Sequence, residues 1–226
     1  YFLFCKKYAK EVYQTVVKTP NIESVLPSRL YFHLVSFLAR ENMQKPDIDE
    51  FLSKTLAHTQ FSIDADAAIS ILKNYGIIYE VDDGVLKASK IGRGAALMYI
   101  DPIDLYYMKN NLSDQPQTPT AIAIALSDIP SLHKPGHMPK DLKNPVELPY
   151  AQAAVQATCL RDWLLGKPMD GIRSVVVPPI VKDFDRIASA LKVAGLNKSF
   201  CESLTLMIKN GIHSNLLPLV NLPGIG

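Results

Sequence analysis

The sequence predicts a mainly helical protein that contains one β-hairpin. Apolar residues recur at helical spacing in several stretches, most clearly in residues 151–166, where every fourth residue from Ala151 to Trp163 is apolar or a cysteine. The string IIYEVDDGVLKAS has two alternating apolar segments joined by Asp83-Gly84, which is a strong short-range hairpin signal. A chain of 226 residues has room for one large unit or two smaller units, each with its own core.

Composition narrows the class of protein without naming a function. The apolar fraction of 48% is typical of a globular protein. The chain has 24 basic and 22 acidic residues, and the resulting net charge of +2 is too small to indicate a nucleic-acid-binding protein by itself. The three cysteines, at positions 5, 159 and 201, are too far apart for a disulfide framework or a zinc site, which indicates a reducing compartment. No apolar run reaches the length of a membrane span and no signal peptide is visible, so we expect a cytoplasmic protein without a membrane partner.

The first part of the chain has a recognisable order of elements. Three apolar-periodic stretches predict helices before the hairpin: Arg29–Arg40 after Pro27-Ser28, Ile48–Thr59 behind Asp47, and Ala65–Asn74 between Asp64 and Gly76. Three helices followed by a hairpin is the order of a winged-helix domain, over residues 27–90.

The charges of this domain disfavour reading of a DNA groove. Its third helix offers only Lys73 as a base, and the hairpin carries Glu80, Asp82 and Asp83. Such a surface repels phosphate, so we expect a packing module.

Residues 90–150 hold two helices, a small third helix and a long loop. Gly92 and Gly94 in KIGRGAALMYIDP allow close packing, and Asp101-Pro102 starts a fresh helix. Arg93 is either a phosphate contact or the partner in a structural ion pair. A small apolar helix is expected over Thr118–Leu126, and residues 130–149 hold five prolines and no period, which predicts a loop. His133 and His137 lie in that loop, but Pro135-Gly136 between them disfavours a helical metal site.

The stretch PPIVKDFDRIASALKVAG predicts a helix that Pro178-Pro179 opens and Gly195 ends. Lys182, Arg186 and Ser189 fall on one face at i, i+4 and i+7, an edge that suits a nucleic-acid backbone passing beside it. Asp183 and Asp185 support the alternative, an ordinary solvated face. A further helix, Phe200–Asn210, is expected to start at the cap residue Ser199 and to stop at Gly211.

The last stretch, KNGIHSNLLPLVNLPGIG, predicts a short helix from about Ile212, disturbed at Pro218, and then a turn. Gly224 and Gly226 leave backbone N–H groups exposed that can hold a phosphate oxygen, the arrangement of the hairpin in helix-hairpin-helix modules. Lys209 precedes this turn and is a further candidate contact. The alternative is a plain Gly-Pro turn at a chain end.

Four strings in one order carry a family resemblance: the winged-helix segment, KIGRGAALMYIDP, CLRDWLLGKPMDGI and IKNGIHSNLLPLVNLPGIG. Together they resemble the C-terminal half of archaeal Hjm-type DNA helicases, of the Ski-two-like branch of helicase superfamily two. The resemblance implies that residues 1–26, which begin YFLFC, are the tail of the second RecA-like motor domain and a linker. It implies a winged helix over 27–90, a helical-bundle ratchet domain over 91–210, and the truncated start of a helix-hairpin-helix domain over 211–226.

In that family the ratchet domain closes a ring around single-stranded DNA, and one long helix touches the strand as ATP drives the motor. The matching helix resembles residues 178–195, although the family's arginine and aromatic are represented here only by Lys182, Phe184 and Arg186. Phe184 lies on an apolar stripe that predicts burial, which leaves stacking to Arg186. The chain has no GxxxxGK[ST] loop, so ATP and Mg²⁺ belong to the motor of the full-length protein, and no cofactor is expected here.

The resulting expectation is the C-terminal accessory portion of an ATP-dependent 3′-to-5′ DNA helicase, which holds and ratchets single-stranded or forked DNA in repair or replication restart. Its expected partners are the missing motor domains and replication or repair proteins. Three alternatives stay open: a non-enzymatic winged-helix regulator, a scaffold that docks a partner, and an RNA-helicase relative.

Overall fold

The structure, a computed structural model, describes residues 22–54, 64–140 and 142–220, with side chains from residue 29 onward. These residues form a mainly helical fold that contains the predicted hairpin, as the sequence predicts. The hairpin is part of a three-stranded sheet, whose third strand was not predicted. The expected strand at residues 1–5 and the closing turn at residues 222–226 lie outside the described ranges.

The first part of the fold combines three helices with the sheet. Its elements are α1 (Ile22–Arg40), β1 (Met43–Gln44), α2 (Lys45–Ser53), α3 (Ala65–Asn74), β2 (Ile78–Val81) and β3 (Val85–Ala88). Strand β3 lies between β1 and β2 and is antiparallel to both, with Leu86 opposite Met43 on one side and Glu80 on the other.

Local signals account for most of these elements. Asp64 caps α3 by accepting a hydrogen bond from the backbone N–H of Ala67 at 2.9 Å. The hairpin turns at Asp83 and Gly84, whose φ angles of 62° and 74° are those that an Asp-Gly turn requires. Helix α2 begins at Lys45 rather than Ile48, because Asp47 accepts the backbone N–H of Gln44 at 3.0 Å and closes a capping box.

The second part is helical and begins with α4 (Lys90–Met98), α5 (Pro102–Asn111) and α6 (Pro119–Ser127). After the loop predicted at residues 130–149, whose only helical turn among its described residues is Pro130–Leu132, come α7 (Ala151–Leu164), α8 (Arg173–Val193) and α9 (Lys198–Asn210). A 3₁₀ turn (Ser214–Leu216) and α10 (Leu217–Val220) close the described chain, so the last helix begins after Ile212.

The predicted starts of α1, α8 and α9 are also wrong. Helix α1 begins at Ile22, before the predicted opening at Pro27-Ser28. Helix α8 begins at Arg173, and Pro178 and Pro179 lie inside it. Their missing N–H groups leave the carbonyls of Ser174 and Val175 without helical partners, which is tolerable because both residues are exposed to water. Helix α9 is capped by Asn197, which accepts the N–H of Phe200 at 2.9 Å, and not by Ser199.

The described core falls into two main clusters, one formed within residues 34–88 and one within residues 95–208. Helix α4 joins them because its two glycines remove side chains where neighbours come closest. A Cβ at Gly92 would lie 2.6 Å from the Ile77 carbonyl oxygen, and one at Gly94 would lie 2.7 Å from the Ala190 carbonyl oxygen on α8. The close packing expected of these glycines is therefore present on both sides of α4.

Candidate nucleic-acid interface

Helix α8 packs against α4, α5, α7 and α9 and leaves one side in solvent. Lys182 lies on that exposed side, as predicted, and Lys192 lies further along it. Neither lysine forms an ion pair with another described residue. Helix α8 therefore presents two uncompensated positive charges to solvent.

The two aspartates of α8 that argued against a basic edge are each paired with a cation. Arg186 donates from Nε and Nη2 to the carboxylate of Asp183, and this hydrogen bonding lowers the pKa of Asp183. Lys209, on α9, places its Nζ 2.5 Å from Oδ2 of Asp185. The negative charges of α8 are thus balanced within the protein, which leaves Lys182 and Lys192 to set the sign of its exposed side.

Arg186 has a second set of contacts that the sequence did not reveal. Its Nη1 donates to the backbone carbonyls of Met98, at 2.5 Å, and of Tyr99, at 2.7 Å. These are carbonyls at the C-terminal end of α4, which has no intrahelical partner for them. The guanidinium thus ties α8 to α4, and its hydrogen-bonding groups are engaged by protein.

The other candidates on α8 and α9 take different positions. Ser189 donates its hydroxyl to the carbonyl of Asp185 at 2.7 Å, and it is only partly buried. Lys209 is occupied by Asp185, as described above. Phe184 is 0% exposed in the second core cluster, so its assignment as a nucleic-acid contact is wrong: its ring fills the interior between helices. Gly224 and Gly226 lie outside the described residues.

One flank of α8 is acidic. A cavity of about 350 Å³ between α5 and α8 has Asp101, Asp104 and Asp183 among its lining residues, with Arg186 as its cation. Asp104 accepts the N–H of Ser131 at 3.0 Å, and burial raises the pKa of its carboxyl. A phosphate backbone is therefore disfavoured on this flank of α8.

A basic and aromatic groove lies at the junction of the two core clusters. It has a volume of about 510 Å³ between α1 and α4, and Arg40, Arg93 and Tyr99 line it. Arg93 makes no ion pair with any residue the structure describes, so the structural ion pair considered for it is absent there. The groove has no sequence signal, because Arg40 and Arg93 are far apart in the chain and come to line one surface only through the packing of α4 on α1.

His133, Cys159 and Cys201 contact other protein groups and are not arranged as a metal site. Nε2 of His133 lies 2.7 Å from Oδ1 of Asp128, and the imidazole stacks on Tyr150 with centroids 4.3 Å apart. Cys159 and Cys201 are buried in the interior, and burial raises the pKa of the Cys201 thiol. Across the described ranges no cluster of three or more His, Cys, Asp or Glu side chains is arranged to hold a metal ion.

Trp163 belongs to the interior more than to a binding surface, as its periodic position indicates. Its indole Nε1 donates to the carbonyl of Ile208 at 2.7 Å and fixes α7 to α9.

No helix within the described part of the chain has the length and apolarity needed to cross a membrane.

A scan against protein-family models and a search of curated proteins both found no match to this chain.

Proposed function

We propose that this chain is the C-terminal accessory portion of an ATP-dependent DNA helicase of superfamily two, and that it holds single-stranded DNA along α8 while the motor domains of the full-length protein move the strand. The observation that carries the proposal is the charge balance of α8. Both of its central aspartates are paired inside the protein, and Lys182 and Lys192 lie on the exposed side without an ion-pair partner among the described residues. Unpaired lysines along one helix attract a phosphate backbone without reading sequence.

The order of elements supports the same proposal. A helix, a short strand, two helices and a hairpin, in that order, are the parts of a winged-helix domain, and a helical bundle with one long helix follows, as in a ratchet domain. The single base of the third helix, Lys73, is paired with Glu80 of the hairpin at 2.5 Å. A helix whose cation is already neutralised is a poor reader of a DNA groove, which favours a packing role over a sequence-specific regulator.

The test is a binding titration of the 226-residue chain with a fluorescent oligo-dT of about 15 nucleotides, near the upper site size of single-strand modules. We expect Lys182→Ala with Lys192→Ala to weaken binding and to reduce its salt dependence. Each lost phosphate contact should make the slope of log K, the association constant, against log salt less negative by about 0.7. Arg186 is left unchanged in this test, because its substitution would also remove the hydrogen bonds to the carbonyls of Met98 and Tyr99.

The matched control is Lys54→Ala with Lys73→Ala, which removes the same charge from paired lysines of the first part of the fold. An equal loss of affinity in both double variants would mean that only net charge matters. No binding of the unmodified chain at low salt would count against the nucleic-acid proposal as a whole. Oligo-U in place of oligo-dT separates a DNA helicase from the RNA-helicase relative, because the 2′-hydroxyl is the group by which proteins distinguish the two.

A further inference from the structure

The groove between α1 and α4 has a charge pattern that the fold leaves unbalanced. Arg40 and Arg93 are both exposed, and neither pairs with another described residue. By contrast, Arg161, Arg173 and Arg186 all donate to aspartates. The described residues that line the groove include His33 but no aspartate or glutamate. Two free guanidinium groups on one concave surface form a site for an anion.

Tyr99 adds an aromatic surface to the same groove. It is 73% exposed, although aromatic side chains of this size are usually more buried. Its ring centroid lies 5.7 Å from that of Phe32 with a 32° angle between the planes, so Phe32 supports it from the protein side. A supported ring with most of its surface in solvent can stack on a planar ligand.

The backbone at Tyr99 is held in an uncommon conformation. Tyr99 has φ 53° and ψ 44°, in the left-handed region that bulky residues seldom adopt. The Tyr99 N–H donates to the Ala95 carbonyl, and Arg186 binds the Tyr99 carbonyl at 2.7 Å. These two hydrogen bonds fix the backbone that carries the exposed ring.

We propose that the groove between α1 and α4 binds a nucleotide of single-stranded nucleic acid, with a base stacked on Tyr99 and phosphates contacted by Arg40 and Arg93. Free arginines beside an exposed ring complement a polyanion with accessible bases better than they complement an apolar peptide. A duplex is disfavoured, because its bases are stacked on one another and not free for Tyr99. The inference rests on the proposed function and adds to it a contact separate from α8.

The experiment measures the affinity of the full chain for oligo-dT and for an abasic oligonucleotide of the same length. Arg40→Ala with Arg93→Ala should weaken binding of both ligands. It should also make the slope of log K against log salt less negative by about 1.4, for the loss of two phosphate contacts. Tyr99→Asn keeps a residue that tolerates the left-handed conformation and removes the ring. It should weaken oligo-dT binding by about fivefold or more and leave the abasic ligand unaffected, because only the base is stacked.

The matched control is Arg29→Ala, which removes an exposed arginine from α1 outside the groove. Equal affinities of the groove variants and this control, with Lys182→Ala/Lys192→Ala still weakened, would overturn the groove proposal and leave the proposed function standing. No oligonucleotide binding by the unmodified chain would overturn both. Groove variants that lower the melting temperature without changing oligonucleotide affinity would give these residues a structural role and likewise overturn the proposal.

Discussion

Arg186 holds Tyr99: its Nη1 lies 2.7 Å from the carbonyl oxygen of Tyr99 and also binds the carbonyl of Met98. The guanidinium is fixed in turn by Asp183, one turn back on α8. A residue of the helix proposed to follow single-stranded DNA thus determines the backbone at the exposed ring of the groove. This contact is the physical link between the two proposed nucleic-acid surfaces.

The first prediction follows from that link. Arg186→Ala removes charge-assisted hydrogen bonds to two carbonyls at the end of α4, and we expect it to lower the free energy of unfolding by about 1–2 kcal/mol, a figure reduced for the partial exposure of the side chain. Arg186→Lys should recover only part of the loss, because an ammonium group lacks the planar fork that reaches Asp183 and both carbonyls together. Urea unfolding of the two variants checks the order, and equal stability of Arg186→Ala and the unmodified chain would contradict it.

The second prediction concerns the glycines of α4. Gly92→Ala and Gly94→Ala each place a Cβ within 2.7 Å of a backbone carbonyl, of Ile77 and of Ala190 respectively. Backbone cannot move aside as a side chain can, so we expect each substitution to destabilise the protein by about 1–3 kcal/mol through overpacking. Gly136→Ala is the control, because its nearest contacts are side-chain atoms at 3.6 Å. Thermal unfolding should separate the first two variants from the third.

Local chemistry explains why so much of the fold was predictable. Thr118 and Asp101 start α6 and α5 by capping, and the Asp83-Gly84 turn fixes the hairpin, so each signal lies within a few residues of its effect. Strand β1 was missed because a two-residue strand has no periodicity, and it exists only through pairing with β3. The start of α8 was misplaced because a proline is usually confined to the first turn of a helix. Here the turn before the prolines is exposed, so water can bind the carbonyls that lack helical partners.

The candidate site was less predictable, because its electrostatics depend on contacts between distant segments. Periodicity placed Lys182 in solvent and favoured burial of Phe184, and both positions agree with the structure. No pattern in the sequence shows that Lys209 neutralises Asp185, or that Arg40 and Arg93 line the same groove. These contacts link segments from different parts of the chain, and only the folded arrangement of α1, α4, α8 and α9 creates them.

The third prediction is a pH dependence centred on Asp162. Its carboxylate is buried and receives hydrogen bonds from Arg161, Lys167 and Arg173. Burial by itself raises the pKa of Asp162, but the bonds and charges of Lys167 and Arg161 outweigh it, and the pKa lies below its ordinary value. A carboxyl with a depressed folded pKa stabilises the protein above its unfolded pKa, about 3.9, and this contribution is lost as the pH falls through the folded value.

Asp162→Asn should therefore lower stability at neutral pH, by about 3 kcal/mol for a disrupted buried charge network, and flatten the acid limb of the stability curve. Asp170→Asn is the comparison, because Asp170 is exposed and, among the described residues, pairs with Arg173 alone; its loss should cost less than about 1 kcal/mol. Urea unfolding between neutral and acid pH measures both. An Asp162→Asn curve parallel to that of the unmodified chain would assign the acid sensitivity to other carboxylates.

The fourth prediction separates two glycines that share a backbone conformation but differ in surroundings. Gly166 and Gly211 both have positive φ, 73° and 63°, yet a Cβ at Gly166 meets nothing within 4 Å, whereas one at Gly211 lies 2.7 Å from the ring of Trp163. Gly166→Ala should cost about 1 kcal/mol, from the left-handed conformation alone. Gly211→Ala should lower the free energy of unfolding by more, because it also displaces the Trp163 indole, whose Nε1 donates a hydrogen bond to the Ile208 carbonyl.

Trp163 is the single tryptophan of the chain, so its fluorescence reports directly on that displacement. We expect Gly211→Ala to shift the emission maximum to longer wavelength as the indole becomes more accessible to water, and Gly166→Ala to leave it unchanged. Both variants should be compared well below their melting temperatures, so that the signal comes from the folded state. An unchanged spectrum in Gly211→Ala would mean that α9 moves as a unit and carries the extra methyl group away from the ring.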